Sequence, residues 1–315
     1  MKTNTSKRIK GWRIIIITLL SFILASFAMT KLIYDACFQR YDVVNEEIPE
    51  EFQPLLEERQ NISLQSGKNK IQGYLYSEAD SDALVVIAPG YCASADSYLG
   101  LVQDFVDYGW DVFIFDSTGS CTSEGKTSVG FSQELLDLDV ALTYIEANYE
   151  YEDLLLFGHS RGGYSVCGML GSDHDITAVV SVGGVNSAME AVIQPATNYV
   201  GVLAYGNYPF LWLYQVLLFD METVNIRADR QISNSEVPTL IIQGSNDIIV
   251  PMDKSSIYSY REQIESEHVE FILNEVPGQD GHRDILFDSD GTANNELMEN
   301  INRFYMESME DQGRN

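Results

Sequence analysis

One stretch decides the fold of this chain: Leu154-Leu155-Leu156-Phe157-Gly158-His159-Ser160-Arg161-Gly162-Gly163. An apolar run short enough for a buried strand ends at Gly158, and residues with helical spacing begin directly after Ser160. Glycines two residues before and two residues after Ser160 leave room for a strained strand-to-helix turn that exposes its hydroxyl. The pattern predicts either a nucleophile or an ordinary helix cap, and the motif alone does not separate these interpretations.

The composition excludes one large class of function. The chain has 315 residues, of which 45% are hydrophobic, enough for one large domain with its own core. Its 47 acidic residues outnumber 19 basic ones and give a net charge of −28. Such a surface repels phosphate groups, so we expect no nucleic-acid partner. The four cysteines show no metal-ligand spacing, and we expect neither a metal nor another cofactor.

Residues 1–34 have the pattern of a membrane anchor. Basic residues precede an uncharged, apolar stretch at 14–30, which is near the short limit for a helix that spans a bilayer. This charge distribution predicts a single-pass protein of the cell membrane, with a cytoplasmic N-terminus and an extracytoplasmic catalytic domain. Ser26 and Ala28 have the spacing of a signal-peptidase site, so a cleaved and secreted protein is the alternative. The glutamate-rich residues 35–60 predict an acidic stalk.

Residues 61–315 have the pattern of an α/β sheet. We predict strands at 61–66, 71–76, 83–88, 111–116, 154–157, 177–182, 239–243 and 269–274. The first two form an edge hairpin, and the other six alternate with helical segments, as in a parallel sheet covered on both faces. Residues 186–236 interrupt this alternation and are rich in aromatic side chains. We predict a helical cap there, with a membrane-contacting surface or an ordinary helix pair as alternatives.

Two residues on other loops complete a catalytic set with Ser160. His282 lies on a glycine-flanked loop directly after the last predicted strand, and Asp247 follows the strand that ends at Gly244. An imidazole accepts the proton of a serine hydroxyl near neutral pH, and a carboxylate orients the ring and stabilises its charged form. We expect His159 to project away from the substrate side of Ser160.

Asp253 is the nearest alternative acid to Asp247. We predict that it instead caps a helix that runs to Ile264.

The chain order Ser160, Asp247, His282 resembles that of the α/β-hydrolase superfamily, and within it that of bacterial serine esterases, lipases and aminopeptidase-like proteins. The loops at 115–125 and 238–251 also resemble loops of this superfamily. Ala88-Pro89-Gly90-Tyr91 stands where its members usually have a His-Gly dipeptide, with proline in place of histidine. The resemblance implies a three-layer fold with an eight-stranded, mostly parallel sheet and a cap. It also implies an oxyanion hole made by the backbone amides of Tyr91 and Arg161.

Together these patterns predict a membrane-anchored serine hydrolase of the carboxylesterase or lipase type. The aromatic cap favours a small-molecule ester or amide with an apolar acyl or aryl group. Two alternatives stay open: an aminopeptidase or amidase, and a noncatalytic surface-binding protein with the same fold. The sequence also leaves open the oligomeric state and a disulfide between Cys92 and Cys121.

Overall fold

The computed structural model describes residues 2–42, 48–77 and 81–311, with side chains except at 2–9 and 198–200. The strands are β1 (Gln60–Ser66), β2 (Asn69–Tyr76), β3 (Ala83–Ala88), β4 (Asp111–Asp116), β5 (Asp153–His159), β6 (Ala178–Val182), β7 (Thr239–Gly244) and β8 (Val269–Asn274). They form one eight-stranded sheet in the order β1-β2-β4-β3-β5-β6-β7-β8. The pairs β1–β2 and β2–β4 are antiparallel and the others are parallel. The predicted sheet and its edge hairpin are therefore confirmed.

The described residues also form ten α-helices. They are α1 (Lys2–Cys37), α2 (Gln53–Glu58), α3 (Leu99–Asp107), α4 (Phe131–Asn148), α5 (Arg161–Gly168), α6 (Ala188–Val200), α7 (Tyr208–Leu218), α8 (Met221–Val224), α9 (Ala228–Ser233) and α10 (Asn295–Asp311). Val85 and Ile87 enter a core that α3 and α10 cover, whereas Leu84 and Val86 enter a second core that α4 and α5 cover. Because both faces are buried, the central strands are continuous apolar runs, and the predicted three layers are confirmed.

The segment between β6 and β7 is helical, as expected for a cap. It contains α6 to α9, with a 3-10 helix at Gly201–Asn207 between α6 and α7. Its buried residues Met189, Ile193 and Leu211 form a third apolar cluster with Tyr34 of α1 and with Phe38. The cap therefore packs against the end of the N-terminal helix.

The acidic segment at 35–60 differs from the predicted stalk. Gln39 pairs with Thr127 as an isolated β-bridge, while Phe52 and Leu55 are buried in the first core. The glutamates predicted a solvated spacer, but apolar side chains placed among them decide the packing. Residues 43–47 of this segment lie outside the described residues.

Two further sequence expectations can be compared with the structure. The predicted helix that runs to Ile264 is wrong, because only a 3-10 helix forms, at Ile257–Tyr260, and Ser256 caps it rather than Asp253. Cys92 and Cys121, whose pairing the sequence left open, do not form a disulfide with each other.

Asp137 on α4 links three parts of the fold. Its carboxylate is fully buried and accepts hydrogen bonds from Ser66 Oγ at 2.5 Å, Thr118 N at 2.7 Å and Gln133 Nε2 at 2.9 Å. It thereby joins the end of β1, the loop after β4 and α4, because a buried carboxylate needs these donors.

The substitution Asp137→Ala should lower the free energy of unfolding by about 2–4 kcal/mol, because it leaves several buried donors without an acceptor. Asp139→Ala on the same helix is the matched control, since the Asp139 side chain is 54% exposed. We expect the control to change stability by less than about 1 kcal/mol. Chemical denaturation of the detergent-solubilised protein measures both, and equal losses would contradict the role given to Asp137.

Candidate active site

Ser160 lies in a strained turn between β5 and α5. Its φ is 57° and its ψ is −111°, a backbone conformation that residues other than glycine rarely adopt. A Cβ atom at Gly158 would lie 2.3 Å from the carbonyl oxygen of Gly162, and one at Gly162 would lie 1.9 Å from that of Ala88. The two glycines therefore allow the backbones of β3, β5 and α5 to meet around Ser160.

His282 and Asp247 form a hydrogen-bonded pair at the carboxyl ends of β8 and β7. His282 Nδ1 lies 2.6 Å from Asp247 Oδ2, and the Asp247 side chain is 1% exposed. The carboxylate also accepts the amides of Ile249 and Val250, at 2.9 and 2.8 Å, and Gln243 Nε2 at 3.2 Å. These donors compensate the burial of a charged carboxylate. An ionised Asp247 selects the tautomer with the proton on Nδ1, which leaves a lone pair on His282 Nε2.

Ser160 and His282 line the same two cavities. The larger has a volume of about 330 Å³ and the smaller one of about 140 Å³. The larger cavity has mostly apolar walls, which include Phe38, Tyr91, Phe131, Val185, Val192, Pro195, Ile249 and Val250. The smaller cavity has more polar walls, which include Ser97, Tyr98, His159 and Arg283. A substrate whose reacting bond lies at Ser160 would therefore place its two parts in chemically different cavities.

The two backbone amides assigned to the oxyanion hole lie next to Ser160. Arg161 is the first residue of α5, so its amide has no acceptor within the helix. Tyr91 lines both cavities together with Ser160, and a Cβ atom at Gly90 would lie 3.5 Å from Ser160 Cβ. Their role as oxyanion donors stays a prediction.

Behind the turn lies a buried ion pair that the sequence did not indicate. The side chains of Arg161 and Glu134 are 2% and 0% exposed, and the Nη2 and Oε2 atoms are 2.8 Å apart. Arg161 also donates to Ser117 Oγ at 2.7 Å. Burial raises the pKa of Glu134 to about 7, although the charge of Arg161 opposes the rise. Removal of one partner would leave a buried charge unpaired, so the pair holds α4 against the first turn of α5. In the sequence, this ion pair is indicated only by Glu134, a charged residue within the apolar stripe of α4.

The expectation that His159 projects away from the substrate side of Ser160 is wrong. His159 lines the smaller cavity, where its Nε2 donates to the His282 carbonyl oxygen at 3.0 Å. Its Nδ1 accepts from the Tyr98 hydroxyl at 2.9 Å, and that hydroxyl accepts from the Gly90 amide at 2.8 Å. These bonds connect the loop after β3, the turn at Ser160 and the loop of His282. Burial lowers the pKa of His159 to about 3, so the ring is neutral.

Comparisons with known proteins agree with this architecture. A family model described as serine aminopeptidase, S33, matches residues 79–213. An esterase from Pyrococcus furiosus is similar with a TM-score of 0.63 and 18% identity, over 86% of this chain and 98% of that chain. A protein from Butyrivibrio proteoclasticus with bound ferulic acid is similar with a TM-score of 0.59 and 17% identity, over 79% and 99%. A bacterial membrane phospholipase A is similar with a TM-score of 0.55 and 12% identity, over 98% and 99%. A search of curated proteins found no match.

The comparisons support the fold more strongly than they support individual residues. The family match includes Tyr91 and Ser160 but ends before Asp247 and His282. At identities of 12–18%, the solved structures show the shared fold alone. The assignment of roles to these residues therefore depends on the geometry described above.

The buried, neutral His159 should make stability depend on pH. Its pKa is about 3 in the folded protein and about 6.5 in an unfolded chain. Protonation of the unfolded state therefore removes stability as the pH falls from about 6.5 towards about 3, at up to about 1.4 kcal/mol per pH unit. His159→Gln should show a shallower loss over this window in chemical denaturation. Parallel curves for the two proteins would contradict the burial of a neutral His159.

Proposed function

We propose that this chain, which has the α/β-hydrolase fold and matches a serine aminopeptidase family model over residues 79–213, is a serine hydrolase that cleaves a carboxylic ester through an acyl-enzyme. One observation carries the proposal: the strained Ser160 shares a cavity with His282, whose Nδ1 is bonded to the buried Asp247. A noncatalytic binding protein has no need of a strained serine beside an oriented imidazole.

The proposed reaction has two steps. Ser160 Oγ attacks the ester carbonyl carbon while His282 Nε2 takes the hydroxyl proton, and Asp247 stabilises the imidazolium. The amides of Tyr91 and Arg161 bind the developing oxyanion. His282 then protonates the leaving alcohol oxygen as the ester bond breaks. A water molecule repeats the sequence on the acyl-enzyme and releases the acid.

Each of the two cavities suits a different part of the ester substrate. The apolar walls of the 330 Å³ cavity suit an apolar acyl or aryl group. Tyr98 and Arg283 line the smaller cavity, whose more polar walls suit the more polar leaving group.

An aminopeptidase is the second candidate, because the matching family model has that description. A substrate's α-ammonium group is bound most strongly by a carboxylate within the site. Among the described residues that line the two cavities there is no aspartate or glutamate. This lining favours an ester with an apolar acyl group over an aminoacyl substrate.

We also propose that α1 is an uncleaved membrane anchor, with the catalytic domain outside the cell membrane. Within the helical span Lys10–Cys37, an 18-residue window has a mean hydropathy of 2.1, and only 6% of that window is buried, so lipid would cover its apolar surface. The helix continues without a break through Ser26 and Ala28, and Phe27 packs edge-on against Tyr214 of the cap. Signal peptidase cleaves after small residues such as Ser26 and Ala28. Here these residues are helical, and the cap contacts Phe27 between them.

Ser160→Ala should lower turnover of a short-chain p-nitrophenyl ester by at least about 10³-fold, because it removes the nucleophile. It should also abolish labelling by a fluorophosphonate probe. Ser289→Ala, at an exposed serine beyond the His282 loop, is the control and should behave as wild type. Unchanged turnover and labelling in Ser160→Ala would contradict the proposal.

The same assay separates the two candidate enzymes. Ester and amide substrates with the same acyl group are compared in the wild-type protein, with aminoacyl amides as a second set. We expect the apolar esters to be cleaved fastest, whereas preferred cleavage of aminoacyl amides would favour the aminopeptidase.

A further inference from the structure

The end of α1 forms part of the wall of the larger cavity. Cys37, the last residue of α1, and Phe38 line this cavity together with Ser160. The Phe38 ring is buried and lies 5.7 Å from the ring of Tyr91, whose hydroxyl donates to the Cys37 carbonyl oxygen at 2.6 Å. The candidate catalytic cavity therefore adjoins the proposed membrane helix directly.

The position of Cys37 along α1 sets the height of this cavity above the membrane. The uncharged stretch ends at Thr30, and Lys31 is the first charged residue after it. Lys31 pairs with Asp35 one turn later, at a level where charged side chains contact lipid headgroups. Cys37 follows Lys31 by less than two turns, about 9 Å along the helix axis. With α1 as the proposed membrane anchor, the cavity wall lies at the headgroup level of the outer leaflet.

The cap reaches down to the level of the uncharged stretch. Asn207, the last residue of the 3-10 helix at Gly201–Asn207, donates from Nδ2 to Thr30 Oγ1 at 2.8 Å. The Tyr214 hydroxyl of α7 donates to Asp35 at 2.6 Å. The 3-10 helix is thus fixed beside the point at which α1 leaves the hydrocarbon.

This part of the cap exposes large apolar side chains. Val202 and Leu203 are 81% and 78% exposed, and Tyr205 and Leu217 are 54% and 66% exposed. Residues 191–219 contain no charged residue, although the whole chain has a net charge of −28. An exposed apolar patch without charge marks a contact surface, and its continuity with α1 identifies the partner as the bilayer.

We propose that the tip of the cap, residues 201–207, inserts into the same leaflet as α1, and that the substrate is an ester lipid of that leaflet. The lipid reaches Ser160 between the cap and the end of α1, with its acyl chain along Phe38 and Val192. Ser160 Oγ forms a bond to the acyl carbon as the ester C–O bond breaks, and water then releases the fatty acid. The substrate class rests on the proposed hydrolase function, whereas the insertion of the cap rests on the proposed membrane anchor alone.

Insertion is measured without reference to activity. The full-length variants Leu203→Trp and Met306→Trp are reconstituted into phosphatidylcholine vesicles with and without brominated acyl chains. Met306 is an exposed apolar residue on α10 and serves as the control. We expect brominated lipid to quench the added fluorescence at residue 203 at least about twofold more than that at residue 306. Equal quenching would overturn the insertion.

Substrate access is measured with a double variant, Val202→Asp with Leu203→Asp, and with Met306→Asp as its control. Each reconstituted protein is assayed on a fluorogenic diacyl ester lipid in the vesicles and on a water-soluble p-nitrophenyl ester. We expect the double variant to lose at least about tenfold on the lipid and less than about twofold on the soluble ester. Met306→Asp should change neither rate.

The possible results separate this inference from the proposed function. If the wild-type protein cleaves neither ester, the proposed function and the substrate class fail, and quenching alone decides the insertion. If the double variant cleaves the lipid as fast as wild type, the access route is wrong. If the double variant loses both activities, its folding is disturbed. The comparison of quenching at residues 203 and 306 then decides whether the cap inserts.

Discussion

The site depends on the close contact of three backbones around Ser160. Gly158, Gly162 and the carbonyl of Ala88 meet at distances that exclude a side chain at either glycine. This contact holds Ser160 at a positive φ, a conformation that costs about 1–3 kcal/mol and persists only where the surroundings determine it. Burial of β3 and β5 at the centre of the sheet stabilises the arrangement. As a result, Ser160 lines both cavities beside the first amide of α5.

Hydrogen bonds extend this fixed turn to the other loops at the carboxyl edge of the sheet. Asp247 orients His282, and the neutral His159 links the His282 carbonyl to Tyr98 and through it to Gly90. The loop after β3, the turn after β5 and the loop after β8 therefore form one connected unit. Such preorganisation places charge-stabilising groups before the reaction begins, which is the largest contribution in many hydrolytic enzymes.

Local patterns in the sequence predicted the fold and the main candidate residues. Continuous apolar runs identified the strands, and the placement of Asp247 and His282 directly after strands made them the candidate partners of Ser160. The packing of Phe52 among glutamates and the pairing of Glu134 with Arg161 could not be predicted, because both depend on residues far apart in the chain. The same reason applies to His159, whose partners lie on two other loops. At Ile257–Tyr260, Ser256 rather than Asp253 caps the N-terminus, and only a 3-10 helix forms where the local sequence predicted a longer helix.

The central claim is that Ser160 becomes acylated with the acyl group in the apolar cavity. A crystal structure of the protein inhibited by a long-chain alkyl fluorophosphonate tests this most directly. We expect a covalent bond from phosphorus to Ser160 Oγ and a phosphoryl oxygen about 2.7–3.1 Å from the amides of Tyr91 and Arg161. We also expect that the alkyl chain lies against Phe38 and Phe131. An adduct on another residue, or a phosphoryl oxygen directed away from these amides, would contradict the claim.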